Sequence, residues 1–223
     1  AAHGYIVAKA AAGVPLDALR VVPAGDPLRI AGQSMVGALA VPAFAPDGAL
    51  QSLQLIPPPG AGKKLNLPGA PMAGASFTVG ELVPGAPVAL CEGIGQAWAC
   101  WQATGNAAVV CFGWGNVARV AADQRQRDAS ARLVLVPDVG KEESAAEIAQ
   151  TLQCAVAYMP QGEVQNFDAN DLAQRDGHDV LAGLLEAATE PPKPEPRYKL
   201  LGADELRNLP PLAWRVRGVL PAV

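Results

Sequence analysis

The sequence predicts an α/β protein, a mostly parallel sheet flanked by helices, preceded by a smaller α+β block rich in antiparallel strands. Three observations carry that prediction. Four short apolar runs, PVALC (87–91), AAVVCF (107–112), RLVLVP (132–137) and CAVAYM (154–159), are apolar throughout rather than alternating. Strands of that kind lie buried on both faces, as in parallel sheets. Helical spacing follows each of the first three, and strand–helix alternation is how such sheets are wound. Before residue 87 the alternation is absent, and an Asp-Gly turn separates two apolar runs instead.

The elements follow in order. HGYIVAKAAAG reads as a short helix stopped by Gly13. MVGALAVPAFAPDGALQSLQLIPP reads as a hairpin turning at Asp47-Gly48. GKKLNLPGAPMAGASFTVG continues with short strands and turns, completing a block over 1–86. The second block spans 87–188. After its first run, Ile94, Ala97, Trp98 and Trp101 have helical spacing. After the second, Asn116 can cap a helix bearing Val117, Val120 and Ala121. After the third, Ala145, Ile148, Ala149 and Leu152 share one helix face. TEPPKPEPR, at 189–197, reads as a proline-rich linker. Residues 198–223 read as the lead-in to a further domain, with a short helix opening at Asp204, Glu205 and Leu206. With no initiator methionine, the chain reads as a fragment of a longer protein.

Composition narrows the function classes. Of 223 residues half are apolar, enough for a sizeable core, and 23 Gly with 21 Pro follow no period. A net charge of −4 argues against a basic DNA-coating protein. It leaves room for a nucleic-acid enzyme whose carboxylates hold metal ions. The four cysteines, Cys91, Cys100, Cys111 and Cys154, form no C-x-x-C pair, and there are only two histidines. Structural zinc is therefore disfavoured, and buried free thiols in a reducing cytoplasm are expected. No run of about 18 apolar residues and no signal-peptide pattern occurs, so no membrane partner is expected. EGIGQAW contains only G-x-G, which disfavours a dinucleotide-binding dehydrogenase.

In open α/β sheets, ligands bind beyond the carboxyl ends of the strands. The first strand delivers Glu92, flanked by Gly93 and Gly95, which let a ligand approach the backbone. The second delivers GWGN, ending at Asn116, and the third delivers Asp138. Past the fourth comes NFDANDL, with Asp168, Asn170 and Asp171. Carboxylates converging on one edge repel one another and usually imply a cation. Oxygen donors without histidine or clustered thiolate favour Mg²⁺ or Mn²⁺. Taken singly, Asp138, Asp168 and Asp171 also read as turn or helix caps. Lys63 and Lys64 read either as a solvated turn or as phosphate and template contacts. Arg125, Arg127 and Arg132 read as a helix face and its exit, or as contacts along a strand backbone. Trp114 reads as a base-stacking platform or as packing on the sheet.

The order CEGIGQAW, FGWGNV, LVPDVG, FDANDL resembles a Toprim domain, and in particular the primase-helicases of plasmids, phages and integrated elements. LQSLQLIPPPGAGKKLNLPGA is similar to the block preceding Toprim in those proteins, and LLGADELRNLPPLAWRVRGVLPA to the lead-in to their helicase domain. The resemblance implies a DNA primase catalytic core that makes short RNA primers on single-stranded DNA from ribonucleoside triphosphates. It implies a helicase domain, in cis or in trans, as partner. Glu92 and Asp138 would be catalytic and would hold Mg²⁺ or Mn²⁺, with Asp168 and Asp171 as further ligands. Glu92 is also a candidate general base. Lys63, Lys64, Gly93, Asn116 and Asn170 would contact nucleotide or DNA. The family usually carries D-x-D after the third strand, whereas this chain has Asp138-Val139-Gly140, which implies either Glu142 or Glu143 as a substitute oxygen donor or a weakened or lost metal site. The zinc-binding module often found ahead of primase cores is also missing. Two other functions compete: a Toprim nuclease, and a non-catalytic module that binds DNA or a helicase.

Overall fold

The computed structural model describes residues 3–192, 201–208, 214–216 and 220–221. The chain opens with α1 (Gly4–Ala8), where His3 Nδ1 accepts from the Tyr5 N–H. This helix is shorter than expected. Ala10 takes a left-handed φ of 49°, and the Ala11 N–H closes back on the Ile6 carbonyl. That is a helix-ending geometry reached well before Gly13. β1 (Arg20–Val21), β2 (Arg29–Ile30) and β3 (Gln33–Ser34) follow, the last two paired with each other. β4 (Leu39–Phe44) and β5 (Leu50–Ile56) form the expected hairpin. Gly48 supplies a φ of 86° at the turn, and Asp47 Oδ1 accepts from the Ala49 N–H. With β6 (Leu65–Asn66) they complete an antiparallel sheet in the order β1-β4-β5-β6.

The second sheet holds the predicted parallel core. β7 (Phe77–Val79) leads to β8 (Val88–Cys91), α2 (Ile94–Thr104) and β9 (Ala108–Val110). After a short 3₁₀ turn come α3 (Val117–Arg127), β10 (Leu133–Val136), α4 (Glu142–Leu152) and β11 (Ala155–Val156). α5 (Ala169–Asp176) and α6 (His178–Ala187) close the unit. The strand order is β11-β10-β8-β9-β7, with β7 alone antiparallel to its neighbour. The continuously apolar strands are explained by burial on both sides. Ala89, Cys91, Val134 and Val136 face a core with α2, α5 and α6, while Val88, Leu90, Leu133 and Leu135 face α3 and α4. The molecule is thus α/β with a mostly parallel sheet flanked by helices, plus an antiparallel sheet.

The expected cut at residue 86 does not separate two cores. β7 lies before it yet completes the second sheet through β9. Leu39, Val41 and Ile56 from the first sheet share one buried cluster with Ile94, Trp98 and Leu172. Residues 1–192 form one unit and 193–223 another. In the second, α7 (Ala203–Arg207) forms where a short helix was expected, and β12 (Trp214–Val216) pairs with β13 (Leu220–Pro221). Most of the predicted linker, 193–197, lies outside the described residues. All four cysteines are buried and free. No helix among the described residues is long and apolar enough to cross a membrane.

Candidate active site

Topology brings two acids together. β8 lies between β10 and β9, with Cys91 in register with Val136. The chain leaves β8 toward β9, but leaves β10 toward β11. The two connections diverge, and a crevice opens at the carboxyl ends of β8 and β10. Glu92 directly follows β8, and Asp138 stands two residues beyond β10. Asp168 joins them because the loop before α5 is fastened to Val139: the Val139 N–H donates to Phe167 O at 3.0 Å, and the Asn166 N–H to Val139 O at 3.0 Å. All three acids line one cavity of about 430 Å³, together with Tyr5, Lys9, Lys64 and Gln96.

The carboxylates are only partly offset. Burial pushes Asp138 up to about 7, and the negative charges of Glu92 and Asp168 push the same way. The Gln96 hydrogen bond and Lys64 oppose the rise. Asp168 is also raised, by burial first, against the pull of Lys9, whose Nζ stands 3.9 Å from Asp168 Oδ2. Tyr5 is pushed up to about 12 by burial and then by Asp168. The Glu92 carboxylate makes no hydrogen bond among the described residues.

Three contributors escaped the sequence reading. Gln96 is buried; its Oε1 accepts from the N–H groups of Glu92 (2.9 Å) and Gly93 (3.3 Å), and its Nε2 donates to Asp138 Oδ1. Its place three residues after the helix N-cap is the capping-box position, a signal that was readable. Lys9 and Tyr5 arrive from α1, at a sequence distance no local pattern reveals. The Lys9 stem lies across Gly95, where a Cβ would sit 3.1 Å from its Cδ and Cε. Lys64 Nζ lies 3.7 Å from the position a Cβ on Gly93 would take.

Other expected site residues serve the frame. Asp168 caps α5 by accepting from the N–H groups of Asn170 (2.8 Å) and Asp171 (2.9 Å). Asp171 lies outside the cavity lining; its Oδ2 accepts from the Asp168 N–H, completing a reciprocal cap. Asn170 is buried, donates to Lys9 O at 2.9 Å and accepts from Gln174. Asn116 stands at the start of α3 but does not cap it with its side chain. Instead the amide donates to the carbonyls of Met72, Ala75 and Cys111 and accepts from the Gly74 N–H, pinning that loop to the strand end. Lys63 is exposed and exchanges backbone hydrogen bonds with the Gln33 amide, outside the cavity.

The substitute acids and the arginines are committed elsewhere. Both Glu142 oxygens accept from the Gly140 N–H at 2.9 Å, and neither Glu142 nor Glu143 lines the cavity. Gly140 has a φ of 95°, and a Cβ there would collide with the Gln165 amide. Trp114 Nε1 donates to Ser144 Oγ at 3.0 Å, and the ring packs on the α3–α4 side of the sheet. Arg125 and Arg132 bond carbonyl oxygens at the ends of neighbouring elements.

Among the described residues, no three His, Cys, Asp or Glu side chains form a metal cage. The donor chemistry still suits a hard cation. Mg²⁺ is commonly held by one or two carboxylates, with waters and substrate phosphates filling the remaining positions. Glu92 and Asp138 present oxygens of that kind on one cavity wall.

No protein-family model matches the chain, and no curated protein matches it. Solved structures do. The zinc-binding and RNA polymerase domains of the Aquifex aeolicus primase superpose with a TM-score of 0.58 at 13% identity, over 83% of this chain and 55% of that one. The DnaG primase catalytic domain bound to single-stranded DNA gives 0.58 at 14% identity, over 83% and 71%. The RNA polymerase domain of Mycobacterium tuberculosis primase DnaG gives 0.51 at 19% identity, over 70% and 56%. The chain spans about half the length of the first of these. At such identities the likeness is one of fold.

Proposed function

We propose that this chain is the catalytic core of a primase-type nucleotidyltransferase, a Toprim-like module that builds short RNA primers on single-stranded DNA. One observation carries the reading: acids from two adjacent parallel strands and lysines from the preceding block line the same cavity at the sheet's switch point. The shared fold with primase catalytic domains supports it.

Glu92 and Asp138 would hold Mg²⁺ or Mn²⁺. When bound, that cation supplies charge neutralisation for a triphosphate and orientation for an attacking hydroxyl. Lys64 and Lys9 face the same space and would bind the phosphates. Asp168 stands 3.9 Å from the Lys9 ammonium and would attract it toward that wall of the cavity. Gly93 and Gly95 carry no side chain at the helix start, which leaves room for the Lys9 stem beside Gly95 and for the Lys64 ammonium near Gly93. A helicase partner in cis or trans, and an origin in a mobile element, extend this reading from the sequence resemblance.

Gly140 favours a second reading, a non-catalytic DNA- or helicase-binding module, because it stands where the second family acid would be. Mg²⁺- or Mn²⁺-dependent ribonucleotide incorporation on single-stranded DNA decides between them. The primase reading expects incorporation by the wild type and its loss in Glu92→Gln and Asp138→Asn. DNA binding without incorporation under any metal would establish the second reading. Strand cleavage would instead identify a nuclease.

A further inference from the structure

Gln96 is 3% exposed, and all its hydrogen bonds end at the site. A buried amide left unsatisfied is costly, so its partners constrain it as much as it constrains them. Its Oε1 holds the backbone from which Glu92 projects. An acceptor alone would complete that helix cap. The Nε2 does something more: it crosses from α2 to the end of β10 and takes Asp138 Oδ1. No other side chain among the described residues bonds the Asp138 carboxylate. The loop beyond it offers no second acid, and Glu142 is turned back onto Gly140. One side chain therefore links the backbone of the first acid to the carboxylate of the second, across the crevice.

We propose that Gln96 is a positioning residue, whose amide sets the relative placement of Glu92 and Asp138 so that both can meet one divalent cation. The inference rests on the cation-binding part of the proposed function. It gives α2 two roles, since Gln96 in its first turn both holds the Glu92 backbone and aims the acid of the neighbouring strand. Groups that orient metal ligands typically change affinity by about 10–100-fold when removed.

The test is Mn²⁺ binding by calorimetry to the 223-residue chain, with melting curves alongside. Wild type is measured beside Asp138→Asn, Gln96→Met and Gln96→Glu. Methionine keeps the length and loses every hydrogen bond. Glutamate can still accept from the two backbone N–H groups but, ionised, cannot donate to Asp138. A positioning role expects Gln96→Met to weaken Mn²⁺ about tenfold or more, with an unchanged number of ions at saturation and a lower melting temperature from the lost helix cap. Wild-type affinity in Gln96→Met overturns the inference while leaving the cation site standing. Wild-type affinity in Asp138→Asn overturns the cation site itself, and the inference with it. If Gln96→Met does not fold, Gln96→Glu decides. Weaker binding despite the added negative charge supports positioning, and equal or tighter binding overturns it.

Discussion

At the scale of single residues, the site is a strained set of charges, and its pH behaviour follows. Asp138 keeps its proton up to about 7, against an ordinary carboxylate value of 3.8, and Asp168 is shifted in the same direction. The folded state therefore binds protons more tightly than the unfolded chain. The stability this contributes is present below the unfolded value and is lost as pH rises through the folded one. Asp128, held down at about 2, acts oppositely, but only below the ordinary carboxylate range. In metal-free buffer the melting temperature should fall as pH rises from about 5 to about 8, and Asp138→Asn should flatten that slope. The same variant relieves repulsion from Glu92 and Asp168, so it should melt higher at pH 8 while losing divalent-cation binding. Gly140→Asp would add an acid two residues after Asp138 in sequence only. The positive φ strains any side chain there, and the exposed Gln165 amide would have to shift, so a loss of about 1–3 kcal/mol in chemical denaturation is expected, with no gain in metal affinity. Glu92 and Asp138 were legible because a carboxylate ending an apolar strand has a position in the fold. Asn116, Asn170 and Asp171 hydrogen-bond within the frame, since polar residues beside a strand end serve the frame as readily as a ligand. A sequence does not say which hydrogen bonds they make.

At the scale of elements, periodicity located the strands and helices that carry the site, and distance along the chain concealed their partners. β8, α2, β9, α3, β10 and α4 stand where the apolar runs and helical spacing put them. The sequence places β7 in the first block, because three residues, Phe77–Val79, reveal nothing about which sheet they will join. α1 was visible as a helix, but its delivery of Lys9 over Gly95 was not. That contact makes a specific prediction. Alanine is favoured over glycine within a helix by up to about 1 kcal/mol, whereas a Cβ at 95 would press on the Lys9 stem. Gly95→Ala should therefore hold or raise the melting temperature while weakening nucleoside triphosphate binding, measured by calorimetry. A fall in stability with unchanged binding would detach Lys9 from the site.

At the scale of the whole molecule, the first antiparallel sheet and the parallel one share a core, and this sets what can be cut away. A chain ended at Pro192 should melt cooperatively, since residues 1–192 form one unit. A chain begun at Pro87 would lack β7 and expose Ile94 and Trp98 where Leu39, Val41 and Ile56 now share their cluster. It should lose its near-ultraviolet dichroism and cooperative melting. By itself, the sequence determined the fold class, the hairpin at Asp47-Gly48 and the two strand-end acids, because apolar periodicity and turn chemistry act between near neighbours. Only the tertiary structure decided that β7 closes the parallel sheet, that Lys9 and Gln96 line the cavity, and that residue 140 takes a backbone conformation that strains any side chain. Those outcomes depend on which surfaces meet, and burial and hydrogen bonding between distant segments settle that once the chain has closed.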